Sequence, residues 1–125
     1  MSFDWSEYFA LAQELVGQAT SPSSQEARLR SAISRAYYAA FCKARNYLRD
    51  REGHSIPRGG QVHRYVRNQF KKSSDKVRKE VGENLNRLRK DRNKADYDDT
   101  VTRLPAITRK TLKLAGRVIS RLDDL

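Results

Sequence analysis

The stretch ISRAYYAAFCKARNYL, residues 33–48, has the clearest helical period in the chain. Its apolar residues recur at steps of three and four, so they share one face of a helix. That predicted core face consists of Ile33, Tyr37, Ala40, Phe41, Ala44, Tyr47 and Leu48. Small residues on and beside this face would let another helix approach closely, and they are Ala36, Ala39, Ala40 and Ala44.

The helix that contains this stretch is predicted to cover about residues 22–50. Ser21 suits its N-cap, and Pro22 suits its first position, where a missing N–H costs nothing. A preceding helix is predicted over about residues 4–19. The two helices join through a tight turn and should run antiparallel. The apolar stripe of the preceding helix is Tyr8, Leu11, Ala12, Leu15, Val16 and Ala19.

Downstream, a loop of about ten residues separates the long helix from a short one. Glycine and proline mark this loop, at Gly53, Pro57, Gly59 and Gly60. The short helix is predicted over about residues 61–70, with Val62, Val66 and Phe70 on one face.

Two further long helices follow. Ser73-Ser74-Asp75 caps the fourth helix, and the last begins near Thr102 with Pro105 in its first turn. The core face of the last helix is Leu104, Ile107, Thr111, Leu114, Val118, Leu122 and Leu125. No segment has the pattern of a strand. The sequence therefore predicts an all-α fold, an up-and-down four-helix bundle with a short additional helix, in a single domain over residues 1–125.

The fourth helix carries a charged residue on its apolar face. The series Val77, Val81, Leu85 and Leu88 continues at Arg92, with Ala95 three residues later. An arginine on a core face is costly unless it is paired, and Asp96 lies one turn away. Arg92 is thus either half of a structural ion pair or a guanidinium held in a cleft for a phosphate. The other basic residues nearby fall off the stripe and should be solvated, namely Arg87, Arg89, Lys90 and Lys94.

The net charge of +11 is concentrated in the middle of the chain. The segment from Lys43 to Lys94 holds 17 Lys/Arg and 6 Asp/Glu, and the rest of the chain is neutral. Such a concentration attracts phosphates and releases counterions, which favours RNA as a partner over a merely solvated surface. A membrane surface fits less well, because no Trp/Phe/Leu face opposes the charges. Candidate nucleic-acid-binding residues are Arg35, Arg64, Arg67, Lys71, Lys72, Lys76, Arg89 and Lys94.

Several classes of protein and of site are disfavoured. The apolar runs are too short to span a membrane, and the first residues lack the basic region of a secretory signal, so we expect a cytoplasmic protein. Cys42 is the only cysteine, which fits a reducing compartment. With two histidines and one cysteine, a zinc site is not expected, and no glycine-rich phosphate loop or nucleophile elbow occurs. We predict no metal and no cofactor.

Two smaller polar features have open interpretations. Arg35 and Tyr38 lie beside the core face of the long helix, where they could form a network that fixes helix register or support Arg92. His63 lies at the start of the short helix. It is either a packing histidine or a general acid or base for phosphodiester cleavage, since an imidazole titrates near neutrality.

Three ordered strings resemble the HEPN superfamily, specifically its small stand-alone prokaryotic members. They are SRAYYAAF from Ser34 to Phe41, VHRYVRNQF from Val62 to Phe70, and LRKDRNKADYDD from Leu88 to Asp99. The resemblance covers nearly the whole chain. It implies a four-helix up-and-down bundle with a short extra helix, usually dimeric. Many members are metal-independent RNases of toxin–antitoxin, CRISPR-linked or other defence systems.

The resemblance also implies candidate catalytic residues. The family signature is an arginine, a polar residue, and a histidine about five positions after the arginine, and two such motifs face each other across the dimer. Arg92 and Asn93 match its start, whereas Tyr97 stands in the place of the histidine. The Arg-Asn-x-Ala-Asp-Tyr variant resembles a subfamily of stand-alone members. Because a tyrosine is a poor base at neutral pH, His63 or Asp96 would have to move the proton.

Three functions are compatible with these features. The first is an endoribonuclease toxin, in which Arg92 stabilises the developing charge and a titratable group moves the proton. The second is a non-catalytic subunit that binds nucleic acid or nucleotide beside a nucleotidyltransferase of the antitoxin type. The third is a helical adaptor whose basic surface meets an acidic protein. The first is favoured, as a homodimer with candidate catalytic residues Arg92, Asn93, Asp96, Tyr97 and His63.

Overall fold

A computed structural model describes residues 2–20 and 22–125, without the side chains of residues 22 and 23. This part of the chain forms five α-helices and no strand, which confirms the all-α prediction. The helices are α1 Ser6–Gly17, α2 Pro22–Glu52, α3 Gln61–Lys71, α4 Lys76–Tyr97 and α5 Leu104–Asp124. Across these same ranges, no helix combines the length and the apolar character needed to cross a membrane.

The contacts between helices establish an up-and-down bundle. Lys43 and Asp4 approach to 4.0 Å at one end of the α1–α2 pair. Arg28 donates to Gln18 over 2.8 Å at the other end, so α1 and α2 run antiparallel as predicted. The α4–α5 pair is also antiparallel. Near the start of α4, Glu80 lies beside Arg117 and Arg121, and further along α4, Asp91 accepts a hydrogen bond from Thr111.

The long helix α2 is the centre of the bundle. It packs against each of the other four helices, whereas α1 contacts only α2 and α5. Its small residues allow this close approach, because their side chains end at Cβ. Five alanines of α2 are fully buried, and they are Ala32, Ala36, Ala39, Ala40 and Ala44.

Most predicted core positions are buried, others such as Tyr8 and Val16 are half-buried, and Leu11 is exposed, at 38%. Because α1 lies at the edge of the bundle, it buries a narrower face than the stripe predicts. The structure places Phe9 against α5, where the ring lies 3.3 Å from the position a Cβ would take at Gly116.

The ends of the helices follow local signals. Asp75 caps α4, since its carboxylate accepts the backbone N–H of Val77, as predicted. Gly53 ends α2 with a φ of 72°, a left-handed conformation that glycine adopts without strain. Arg103 has a φ of 58°, so α5 begins at Leu104, slightly later than predicted. The predicted N-cap of α2, Ser21, lies outside the described residues.

The short helix α3 lies against α4 and presents Val66 and Phe70 to the core. Its last turn approaches α4 at Gly82, which is buried. A Cβ at position 82 would lie 2.5 Å from the backbone nitrogen of Lys71, closer than van der Waals contact allows. Glycine at this position therefore sets how closely α3 can pack on α4.

Replacement of Gly82 by alanine tests this contact. We expect Gly82→Ala to lower the free energy of unfolding by about 1–3 kcal/mol, because the clash involves backbone that cannot rotate away. Urea denaturation followed by circular dichroism measures the change. Gly17→Ala is the matched control, since nothing lies within 4 Å of its added methyl. Equal stabilities of the two variants would contradict the proposed close packing.

Candidate functional site

Arg92 lies near the end of α4 and is bonded to three side chains. Its Nε donates to Asp96 over 2.8 Å, one Nη to the hydroxyl of Tyr38 over 2.8 Å, and the other to Asn93 over 3.1 Å. The side chain is only 16% exposed. Its guanidinium also lies against two rings, 5.1 Å from the centroid of Tyr38 and 5.6 Å from that of Tyr97. A guanidinium has five N–H donors, so the described partners leave two for a ligand.

The side chains that hold Arg92 come from α2 as well as α4. Ser34 donates to the same Asp96 oxygen that accepts from Arg92, over 3.3 Å. Tyr38 contributes both its hydroxyl and its ring face. The structure therefore joins Arg92 to α2 through Ser34 and Tyr38. Arg35 is not in this network, because its guanidinium lies over the ring of Tyr8 on α1, 4.8 Å from the centroid.

His63 lies on the opposite side of the same α2 residues. Its Nδ1 is 2.6 Å from the hydroxyl of Tyr37, and its ring stacks on Phe41 with a centroid distance of 4.3 Å. The ring of Tyr38 meets His63 edge-on at 6.0 Å. Tyr38 thus lies between the histidine of α3 and the arginine of α4.

The electrostatic surroundings of His63 are positive. Burial is the main cause that lowers the pKa of His63 from its ordinary value, and the charges of Arg89, Arg92 and Arg67 lower it further. Burial also raises the pKa of the Tyr37 hydroxyl far above its usual range. The imidazole is therefore neutral at pH 7, bonded to a protonated phenol.

Within the described part of the chain, Arg67 has a buried hydrogen-bond donor without a partner, which is one of its terminal nitrogens. Burial lowers the pKa of Arg67, and the charges of Arg89 and Arg64 add to this. We call Arg64, Arg67, Arg89 and Arg92 the arginine cluster. No carboxylate is among the groups that shift the pKa of His63 or Arg67.

Two members of the arginine cluster, Arg64 and Arg89, line a groove between α3, α4 and the loop that precedes α3. Its volume is about 1080 Å³, and its basic side chains are Arg64, Lys72 and Arg89. Arg89 is half-buried, so it is less exposed than the prediction of a solvated side chain implied. The reason is that α3 packs on α4 and covers this side of the helix, which the period of α4 alone could not reveal.

The remaining predicted binding residues are spread over the surface. Lys71, Lys76 and Lys94 are exposed, at the end of α3, the start of α4 and the last turn of α4. Tyr97 is 72% exposed, with only its ring against Arg92. The described residues contain no group of three or more His, Cys, Asp or Glu side chains that could hold a metal ion.

The structure adds residues that periodicity did not identify as functional. Tyr37 and Phe41 were predicted as core, yet both contact His63. A second cleft, of about 480 Å³, borders Arg92 on its other side. Its walls include Trp5, the N-cap residue of α1, and Arg45 of α2. No signal in the sequence pairs residues 5 and 45, because the contact depends on how α1 packs on α2.

Comparison with known proteins gives one result. The family model of the HEPN domain matches residues 12–125. This range contains Arg92, His63 and the arginine cluster, whereas Trp5 and Tyr8 precede it. No curated protein and no solved structure matches the chain.

The lowered pKa of His63 predicts how stability depends on pH. Below the ordinary histidine pKa of 6.5, the unfolded chain takes up a proton at this position that the folded chain resists. The free energy of unfolding should therefore fall as the pH drops through 6.5, and this loss should be absent from His63→Gln. Urea denaturation at a series of pH values measures both. His54→Gln is the matched control, and the prediction fails if its pH profile and that of His63→Gln coincide.

Proposed function

The chain belongs to the HEPN domain family, and from this premise we propose that it binds RNA along the adjoining faces of α3 and α4. Membership relates the protein to nucleotide- and RNA-directed function at the level of the family. The observation that carries the proposal is the arginine cluster, where Asp96 pairs with Arg92 but no carboxylate is among the groups that shift the pKa of Arg67. Repulsion between these cations is costly in the free protein, and a bound anion relieves that repulsion.

The buried nitrogen of Arg67 supports a phosphate as that anion. A buried donor without a partner loses its hydration without compensation. A phosphate oxygen offers a charged acceptor for it, and the groove lined by Arg64, Lys72 and Arg89 has a volume of about 1080 Å³. The exposed lysines at the α3–α4 junction would add contacts to neighbouring phosphates.

We further propose that the bound RNA is cleaved without a metal. The 2′-hydroxyl would attack the adjacent phosphorus while the bond to the 5′-oxygen breaks, which leaves a cyclic phosphate and a free 5′-hydroxyl. His63, neutral at pH 7, is suited to accept the proton of the attacking hydroxyl at Nε2 when its Nδ1–H donates to Tyr37, and the departing 5′-oxygen would take its proton from water. The two remaining donors of Arg92 would stabilise the charge on the phosphate oxygens. Asn93, Asp96 and Tyr97 hold the guanidinium in position.

In the cell, such an activity would belong to a toxin–antitoxin or other defence system in the cytoplasm. The proposed active form is a homodimer, in which the two Arg92 sites face each other and close the clefts. A nucleotidyltransferase-type antitoxin is the proposed protein partner. The proposed chemistry uses side chains and water, without a cofactor.

A second function is favoured by two specific observations. Arg92 is already engaged by three side chains, and the rings of Phe41 and Tyr37 cover much of His63. If these contacts persist in the complex, the same surface binds RNA or nucleotide without cutting it. The protein would then be the non-catalytic partner of a nucleotidyltransferase. Cleavage assays decide between the two functions.

Replacement of Arg92 tests the proposed chemistry. Arg92→Ala should abolish cleavage of a labelled RNA, and Arg92→Lys should restore little, since lysine lacks the planar fork. Arg78→Ala is a closely matched control, because Arg78 is also on α4, also 16% exposed, ion-paired with Glu52 and set over an aromatic ring. Both alanine variants should lose about 1.5–3 kcal/mol of stability from broken charged hydrogen bonds.

Three measurements make this test decisive. Gel electrophoresis reports cleavage, thermal melting reports stability, and light scattering reports whether the variants stay dimeric. Cleavage lost in both alanine variants would assign Arg92 a structural role only. Binding without cleavage in the wild-type protein would establish the non-catalytic function, and neither binding nor cleavage would point to an acidic protein as the partner.

The salt dependence of binding tests the proposed surface. The Lys72→Ala, Lys76→Ala double variant should bind RNA more weakly for all sequences alike, with a shallower plot of log affinity against log salt. The slope should fall by roughly 0.7 for each lost contact with a single strand. Lys110→Ala with Lys113→Ala on α5 is the control, with the same change in charge at exposed positions. An affinity that is independent of salt would refute the electrostatic account.

A further inference from the structure

The second cleft beside Arg92 has walls of alternating aromatic and arginine side chains. Trp5 and Tyr8 come from the leading end of α1, and Arg35 and Arg45 from α2. Tyr38 and Arg92 also line the cleft. Its volume of about 480 Å³ falls within the range of about 300–1,000 Å³ in which proteins bind small molecules.

The two arginines of this cleft are held by rings. Arg45 lies 5.5 Å from the centroid of Trp5, and Arg35 lies 4.8 Å from the centroid of Tyr8. Neither has an ion pair with a carboxylate among residues 2–20 and 24–125. Arg45 also donates its Nε to Asn46 over 3.1 Å. The terminal N–H groups of both arginines are donors that suit a phosphate.

The aromatic side chains of the cleft are accessible from outside. Trp5 and Tyr8 are half-buried and meet edge to face at 5.1 Å, with Phe3 packed on both and 46% exposed. An aromatic ring with an accessible face is a stacking partner for any nucleobase. In a duplex the bases stack on each other, so only an unpaired base can use such a face.

We propose that this cleft binds an unpaired nucleotide next to the phosphate held at Arg92, so that the protein's ligand is single-stranded RNA. The base stacks against Tyr8 or Trp5, and Arg35 and Arg45 contact its phosphates. The inference rests on the proposed function, because it takes RNA as the ligand and Arg92 as a phosphate contact. It extends beyond the part of the chain that the HEPN family model covers, since Trp5 and Tyr8 precede residue 12.

The chain contains a built-in reporter for this cleft. Trp5 is the only tryptophan, so intrinsic tryptophan fluorescence reports on this position alone. The experiment titrates the full-length protein with an unstructured RNA oligonucleotide and with a duplex of the same length. Tryptophan emission and the anisotropy of a dye on the RNA are recorded together. The single strand should quench Trp5 with the same midpoint as the anisotropy change, and the duplex should leave its emission unchanged.

Variants then separate stacking from general attraction. Tyr8→Leu keeps apolar volume but removes the ring, and it should weaken binding of the single strand at least about fivefold while hardly affecting the duplex. Arg45→Gln should also weaken the single strand selectively. Arg109→Gln on α5 is the control for the loss of one charge, and it should not discriminate between the two RNAs. Thermal melting confirms that each variant is folded.

The outcomes distinguish this inference from the proposed function. The cleft is overturned as a nucleotide site, with RNA binding left intact, by either of two results. One is RNA binding that changes the anisotropy without quenching Trp5. The other is a Tyr8→Leu variant that loses affinity equally for the single strand and the duplex. Absence of any anisotropy change overturns the proposed function and this inference with it.

Discussion

Close packing against α2 is the constraint on which the other features depend. The central helix packs closely against four neighbours because five of its buried positions are alanine. Where larger side chains interrupt the alanines, neighbouring residues point to different helices. Tyr37 reaches His63 on α3, and Tyr38 reaches Arg92 on α4. Since consecutive helical positions differ by about 100°, one short stretch of α2 positions both halves of the candidate site.

The arginines at the two ends of α4 differ in how fully carboxylates pair with them. At its start, Arg78 is paired with Glu52, and Glu80 lies near Arg117 and Arg121. Towards its other end, Asp96 pairs with Arg92, while burial and the charge of Arg89 lower the pKa of both His63 and Arg67. The same helix thus leads from a neutralised region to one in which arginines outnumber carboxylates. This excess of positive charge supports an anionic ligand there.

The sequence predicted the helices well because their signals are local. Periodicity, the Asp75 cap and the i, i+4 spacing of Arg92 and Asp96 depend only on neighbours along the chain. Contacts between helices were less predictable. The half-burial of Arg89 and the bond between His63 and Tyr37 depend on where α3 docks, which helical period does not specify. The stacking of Arg45 on Trp5 likewise depends on the packing of α1 on α2.

The exchange of the family histidine for Tyr97 changes how the proposed chemistry is divided between helices. The exposed ring of Tyr97 lies 5.6 Å from the Arg92 guanidinium and helps to hold it in position. The imidazole proposed as the base is that of His63 on α3, whose pKa is lowered by burial first and then by the charges of Arg89, Arg92 and Arg67. A bound phosphate would offset part of that positive charge, so the same binding event would raise the basicity of His63. In this arrangement the arginines and the histidine would be coupled, so that binding of a phosphate would favour proton transfer to His63.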